Sequence, residues 1–377
     1  MTKWQGDGEK NRKHEEMLKV SFLFPVTRSP RLLSPTLCVL AALLFGCGCR
    51  SEKTPQGSPV ASRVTLYCSV DDVYARPIIR DLEQRTGLRI DVLYDTEAAK
   101  TAGLAARIRA ERERPRGDVF WSSALLQTLL LQREGLLQPY QSPSARDVPS
   151  AFKAADGAWT GLGMRARLVV VHRSVQVEGP GGLDDLLHPR FRNQVGISNP
   201  QFGSASDWVA LLATRWGVAR TLNYFRALKK NGVRVLPGNS VVADKVGRGE
   251  LLTGVTDTDD FLAQARKTSS IEFRGPVGIS DARIDAPLVP GSVAMLKGAP
   301  HPVQARRLID ALVAGTTEKQ LVQRMPGVLP LRTARAATTA APFTRSLHPE
   351  AAPDDSARWP AAWDAVREPL NDILLSD

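Results

Sequence analysis

Cysteine is scarce in this chain, with four among 377 residues, too few for the dense disulfide frameworks of small secreted domains. Histidine is nearly as sparse, at five. His172, His188 and His301 have no Cys or His partner at ligand spacing, and Cys47 and Cys49 have no second pair to complete a tetrahedral zinc site. Aromatic residues make up only 6%. The formal charge of +11 is spread as isolated arginines and never gathers into a basic run with interleaved aromatics. That excludes the usual footprint of a nucleic-acid binder and leaves a solvated basic surface. Enzyme fingerprints are missing too: there is no G-x-x-x-x-G-K, no H-E-x-x-H and no G-x-S-x-G. Gly161-Leu162-Gly163 does not continue into a dinucleotide fingerprint, since Ala stands at 166. Nothing is left to assign as a catalytic residue or a catalytic cofactor, and the expectation is a protein that is not an enzyme.

What is present begins at the N-terminus. Arg28 and Arg31 precede the apolar stretch Thr36–Phe45, ten residues that end against Gly46-Cys47. That is about half of a membrane span but suits a signal-peptide h-region. A small residue followed by Cys, in Leu44-Phe45-Gly46-Cys47, resembles a bacterial lipobox. On this reading residues 1–49 are a signal segment with lipobox, Cys47 carries lipid, and 50–62 form a flexible tether. The leader ahead of the apolar stretch is long and polar, which makes Met17 the expected start. Cys68 lies inside an apolar run and reads as a small buried residue.

From residue 63 the pattern alternates. Val64–Cys68 is a short apolar strand. Tyr74, Ile78 and Leu82 then mark one helix face that stops at Gly87. Leu88–Tyr94 alternates as a strand, a helix runs through Ile108, and Gly117–Ser122 gives a third strand followed by a helix to Glu134. Such units imply an α/β fold with a largely parallel sheet covered by helices, its loops after the strands lying along one ligand-binding edge. Leu168–Val171 is a strongly apolar strand placed to cross into a second lobe. There Val195–Ser198 and Leu251–Val255 are strands, and Trp208, Leu211 and Leu212 face one side of a helix. Ala286–Lys297 returns to the first lobe, and helices follow at Pro302–Ala314 and Glu318–Arg324. Pro369 is expected to break or kink a final helix over Trp359–Leu375.

Over residues 62–332 the order of motifs resembles the extracellular solute-binding proteins of ferric-iron-type ABC importers. Val64–Asp71 is similar to that family's first strand and "Ser-x-His" loop, and Glu83–Tyr94 (EQRTGLRIDVLY) to its helix-to-strand passage. Arg116–Ser122 (RGDVFWS) resembles its "A-D-V-F" strand, Leu126–Tyr140 the following helix, and Pro200–Ser204 its loop into a second-lobe helix. Gly249–Asp260 resembles its "G-E … N-x-Y-Y" passage. The resemblance implies a two-lobed type II periplasmic-binding fold, each lobe a mostly parallel sheet flanked by helices, with the ligand cleft between lobes. It gives lobe 1 as 63–160, lobe 2 as 161–288, a return to lobe 1 at 289–332, and an Ala/Pro-rich loop with a C-terminal helix at 333–377. It further implies a periplasmic, membrane-anchored lipoprotein, monomeric, that serves an ABC-type permease and its ATPase. The metal chemistry departs from the family: Asp71 stands where its His would be, and Asp259-Asp260 where its tyrosine pair would be.

The residues themselves still point to a cation. Asp71, Asp72, Asp257, Asp259 and Asp260 follow strands, and Glu97 lies in another such loop. Carboxylates gathered at one edge repel unless a cation lies among them, and hard oxygen ligands suit ferric iron, manganese, magnesium or calcium. The competing reading is that these Asp residues cap helices. Ser69, Ser122, Gly203, Ser204 and Ser206 offer hydroxyls and helix-start N–H groups for an anion held beside the metal, against ordinary N-capping by Ser204 or Ser206. Tyr67 is expected in the core, and Trp121 either in the core or as a floor of the cleft. Tyr74 and Tyr94 are candidate phenolate ligands, Tyr74 also fitting the buried face of its helix. The alternatives to a metal cargo are an organic solute (a phosphonate, polyamine or thiamine-like cation) and a non-transport surface protein on the same fold.

Overall fold

The computed structural model describes residues 62–95, 101–175, 182–276, 287–332 and 355–375. Cys47, Glu97, the signal segment, most of the tether and the Ala/Pro-rich stretch lie outside them. The described residues hold ten strands: β1 (Arg63–Cys68), β2 (Arg89–Tyr94), β3 (Val119–Ser122), β4 (Leu137–Gln138), β5 (Thr160–His172), β6 (Val195–Ser198), β7 (Arg234–Leu236), β8 (Thr253–Asp257), β9 (Ile271–Pro276) and β10 (Leu288–Leu296). Ten α-helices are interleaved with or follow them: α1 (Asp72–Thr86), α2 (Ala102–Ala110), α3 (Leu126–Arg133), α4 (Gly203–Trp216), α5 (Val218–Lys230), α6 (Asn239–Gly247), α7 (Thr258–Ala265), α8 (Pro302–Leu312), α9 (Gly315–Arg324) and α10 (Trp359–Leu375).

The strands join in the order β2-β1-β3-β10-β5-β8-β6-β7, with β4 added to β10 and β9 to β5. Pairing is parallel in the outer parts, β1 with β2 and β3, and β6 with β7 and β8. It is antiparallel around β5 and β10, because those strands run back against the βα units they join. The sheet is therefore mixed, where a mostly parallel one was expected. β5 belongs to both halves. Its residues through Ala166 pair with β10, and from Arg167 onward they pair with β8. Residues 161–166, expected with the second lobe, thus lie in the first half of the sheet.

Three apolar clusters fill the layers. One packs α1, α8 and α9 on the first half through Ile78, Leu82, Leu308 and Leu312, and a small one packs α6 on the second half through Val242 and Val246. The third spans the seam between the halves: Leu126, Leu129 and Leu130 of α3 meet Trp208, Leu212 and Phe225 of α4 and α5 beneath Trp359, Trp363 and Leu370 of α10. Pro369 does not end α10 as expected. The helix continues to Leu375, held by this packing, by the Gln201 amide donating to the Arg367 carbonyl at 3.2 Å and by an Arg133–Asp364 ion pair at 2.8 Å. A second tie crosses the seam at the start of α3. The buried Asp207 carboxylate of α4 accepts the N–H groups of Leu125 and Leu126 at 2.7 and 3.1 Å; burial pushes its pKa up to about 7 against those two donors.

Trp359 is fully buried and its indole N–H donates to Asp355. Trp359→Ala is expected to lower stability by about 3–5 kcal/mol, the usual loss for a buried aromatic, read as a shift of the urea midpoint without a change in slope.

Candidate functional site

The loops that follow β1, β3, β6, β7 and β8 converge on one cleft, as the sheet topology requires. Asp71 and Ser123 line it from the first half; Ser198, Asn199, Gly203, Ser204, Asn239, Ser240, Asp259 and Asp260 line it from the second. Arg165 reaches it from β5 between them. A narrower, mainly apolar chamber adjoins it through Asp71, Ser123 and Arg165, and is lined by Ser69, Trp121, Ser122, Met164, Leu321 and Met325 among others.

The structure distributes the expected residues unevenly. Asp257, Asp259 and Asp260 each bring an oxygen within 4.8 Å of the others, and Asp71 faces the same cavity as Asp259 and Asp260. Asp71 and Asp257 occupy the N-cap positions of α1 and α7, yet neither makes a side-chain cap bond. Gly203 and Ser204 line the cleft, whereas Ser69 and Ser122 line the adjoining chamber. Ser122 donates to the Ala124 carbonyl at 2.6 Å, and Ser69 exchanges hydrogen bonds with Ser123. Three expected ligands are placed otherwise. Asp72 pairs with Arg76 at 2.7 Å on the exposed side of α1 and borders a lateral recess with Tyr94 and Asp95. Ser206 donates back to the Gly203 carbonyl at 2.7 Å. Asp257 is not in a loop at all: it is the last residue of β8, fully buried, and its oxygens are already taken.

Those partners form a network under the cleft floor. Arg167 donates to Asp257 at 2.8 Å and to the Asn239 amide oxygen at 2.9 Å. Ser204 and Asn239 donate to the other Asp257 oxygen, and Ser198 donates to Asn239 at 2.6 Å. Arg167 is itself wholly buried, with its guanidinium carbon 5.3 Å from the Trp208 ring centre. Burial drives the Asp257 pKa up, but Arg167 and Arg165 outweigh it and hold the carboxyl ionised below its ordinary value. The pair fixes the starts of α4 and α6 to the end of β8.

Arg165 lies two residues earlier on the same face of β5. It donates to the Ser123 carbonyl and stands 3.4 Å from Asp259 and 3.6 Å from Asp257. Burial works against its charge, yet Asp259, Asp257, Asp260 and Asp71 together hold it more firmly protonated than an ordinary arginine. Asp259 is 8% exposed, and its Oδ1 has no hydrogen-bond partner among the described residues. Burial raises its pKa above the usual carboxylate value in spite of Arg165. Tyr74 is near enough for Asp259, Asp71 and Asp260 to add to the effect of burial in raising its phenol pKa. Gly327, at φ +87°, lets its loop lie against the start of α7: a Cβ there would meet the Asp259 nitrogen at 2.5 Å. The Thr258 hydroxyl donates to the Gly327 carbonyl at 2.6 Å.

Sequence reasoning missed Arg165, Arg167, Asn199, Asn239 and Ser240. The arginines carried a usable signal, two charges inside the apolar run of a crossing strand, which must find carboxylates or leave the strand exposed. Asn239 and Ser240 begin α6, an element whose weak periodicity drew no assignment. The expected core position of Tyr67 agrees with its burial, and it donates to Glu111 at 2.7 Å. Trp121, expected in the core or at the cleft floor, is fully buried and lines the adjoining chamber.

The family of bacterial extracellular solute-binding proteins matches residues 64–324. The major ferric iron-binding protein of Neisseria gonorrhoeae is 23% identical over 281 residues, 73% of this chain and 82% of that one. Among solved structures, iron-bound HitA from Pseudomonas aeruginosa gives a TM-score of 0.70 at 19% identity, over 83% of this chain and 100% of that one. The periplasmic binding protein AfuA from Actinobacillus pleuropneumoniae, solved with exogenous fructose-6-phosphate bound, gives 0.66 at 21% identity, over 81% and 99%. The fold is thus the two-lobed type II periplasmic-binding fold.

The geometry separates a structural carboxylate from those facing the cleft. Asp257→Ala strands the Arg167 charge in the interior and is expected to cost about 3–5 kcal/mol. Asp260→Ala, at a partly exposed position, is expected to stay within about 1 kcal/mol of the parent. Urea unfolding of the two variants checks both.

Proposed function

The chain belongs to the bacterial extracellular solute-binding proteins, and from that footing we propose that it is the receptor of an ABC-type importer for a positively charged solute. The cargo on this reading is a hard metal ion, ferric iron first, handed to a membrane permease and its ATPase. The observation that carries it is the cleft-facing acid group. Asp259 offers a buried oxygen with no hydrogen-bond partner among the described residues, Asp260 lies beside it, and Asp71 faces them from the other lobe. Carboxylates drawn from two lobes into one cavity gain most from a cation when the lobes are shut, so binding favours closure by its differential affinity. No catalytic role enters this reading. Binding is its whole activity.

Of the ligand set expected from sequence, Asp71, Asp259 and Asp260 remain as direct candidates, with Gly203 and Ser204 beside them for an accompanying anion. Asp257 supports them from below through its network and is not proposed as a ligand. Glu97 is in a segment outside the described residues. Cys47 is proposed as the lipid-bearing residue that tethers a periplasmic, monomeric receptor to the membrane.

A second reading has its own observation. Arg165 points into the same cavity as the N-termini of α4 and α6, a set that favours a phosphoryl or carboxylate group. An organic phosphonate or phosphate would use that side, as would a zwitterion whose amine reached Asp259. The sugar phosphate bound to AfuA is a solute of this kind in a similar fold.

Metal analysis of residues 50–377, purified without chelator, tests the first reading. Near-stoichiometric metal is expected in the parent and its loss in Asp71→Ala/Asp259→Ala. A parent that takes up neither ferric iron nor manganese would transfer the assignment to the organic solute. The raised Asp259 pKa adds a pH signature. This carboxyl takes up its proton at a higher pH than an ordinary one, so metal affinity should begin to fall earlier on acidification than it does in Asp259→Asn. Titrations of metal binding from pH 7.5 downward, over about three units around carboxylate values, read the difference.

A further inference from the structure

Arg165 and Arg167 are neighbours on one face of β5, but the strand changes partners between them. Arg165 is in register with Val289 of β10, in the first lobe, and Arg167 with Asp257 of β8, in the second. Rotation about this crossing would leave the Arg167–Asp257 pair intact, since the two are in register on β5 and β8 and joined by a buried ion pair. It would alter the distance from Arg165 to Asp259, which belong to different halves. Arg165 also donates to the Ser123 carbonyl, in the loop after β3. Its guanidinium therefore ties the loop after β3 to the carboxylate of Asp259 across the cleft. Its side chain is 13% exposed, so the tie is largely shielded from water and only weakly screened by salt.

We propose that Arg165 is a specificity-determining residue that serves as the internal counter-cation of the cleft, holding Asp259 until a cationic solute takes that carboxylate over. This rests on the cation reading above. In the unliganded protein the guanidinium balances acids that would otherwise repel across a closed cleft. A cation entering between Asp71, Asp259 and Asp260 at the open Asp259 Oδ1 meets a like charge on the other oxygen of the same carboxylate and competes with it for that group. Arg165 thus sets a threshold of affinity, and it excludes weakly bound monovalent cations, whose single charge does no more for these carboxylates than the guanidinium already does.

The test compares the parent with Arg165→Gln and Arg165→Lys, using ferric nitrilotriacetate and manganese(II) as probes. Removing a like charge beside the cargo is expected to tighten metal binding in Arg165→Gln by roughly tenfold or more. Arg165→Lys, which keeps the charge but not the forked reach, should stay within about threefold of the parent. Structural damage would weaken binding, so the direction of the change separates the proposal from a merely structural role. Small-angle scattering of the metal-free proteins gives a second reading: both variants should show a larger radius of gyration than the parent, because the tie from Ser123 to Asp259 is lost. Weaker or unchanged metal binding in Arg165→Gln would overturn the proposal. Failure of the parent to bind either metal would sink the cation reading alone, and an unchanged radius of gyration in both variants would then decide against the tie as well. Should Arg165→Gln fail to fold, Arg165→Lys carries the scattering arm by itself.

Discussion

A guanidinium and a carboxylate removed entirely from water, Arg167 and Asp257, set the positions of nearly everything that faces the cleft. Neither charge is tolerable in the interior alone, and the pair gains from every further hydrogen bond that its atoms find. Ser204 and Asn239 fill the second Asp257 oxygen and lie beside the Arg167 Nη1. Arg167 Nε and Nη2 have no hydrogen-bond partner among the described residues, and the guanidinium lies over the face of Trp208. These side chains come from two elements: Ser204 from the first turn and Trp208 from the buried face of α4, and Asn239 from the first residue of α6. The pair therefore does more than join β5 to β8. It fixes two helix starts against the strand ends, and those helix starts are the second-lobe wall of the site.

This constraint also changes the charge count of the cleft. Sequence position alone places Asp257 beside Asp259 and Asp260 as a third ligand of one cluster, but Arg167 and Arg165 hold it as the structural base of the site. The carboxylates left to face solute are then three, with Arg165 among them. Such a site stays net negative and favours a cation even with Arg165 in place. An anionic solute is favoured only where Arg165 leaves the protein's carboxylate for the solute's own anionic group on closure. The two functional readings are two outcomes of one competition at a single side chain.

The fold was legible in the sequence because its signals are local. The apolar run Val64–Cys68, the spacing of Ile78 and Leu82, and Gly87 at a left-handed helix end each specify their element without reference to the rest. The candidate site was legible by halves for the same reason. Acids that follow strands stand at the cleft edge of an α/β fold, and Asp71, Asp259 and Asp260 are there. What sequence could not supply was pairing at long range. The partners Arg167 and Asp257 are separated by 90 residues, and nothing local marks one as the other's counter-ion. Pro369 is a similar case. Its local preference is to end a helix, and the buried contacts of Trp359, Trp363 and Leu370 override it.

The position of the crossing gives the arrangement its mechanical sense. On the proposed role of Arg165, motion about the partner change between Arg165 and Arg167 would divide two adjacent like charges into one that stays with its counter-ion and one that moves. Arg167 would travel with Asp257, preserving the floor of the second half. Arg165 would travel with the first half, so that its distance to Asp259 would measure closure. Had the strand changed partners two residues later, both arginines would move together and Asp257 would be left unpaired whenever the cleft opened. Had it changed two residues earlier, both would stay with the second lobe and no charged contact from β5 would sense the first. The register of β5 against β10 and β8 is thus part of the binding chemistry, since it decides which charge stays buried and which one answers to the solute.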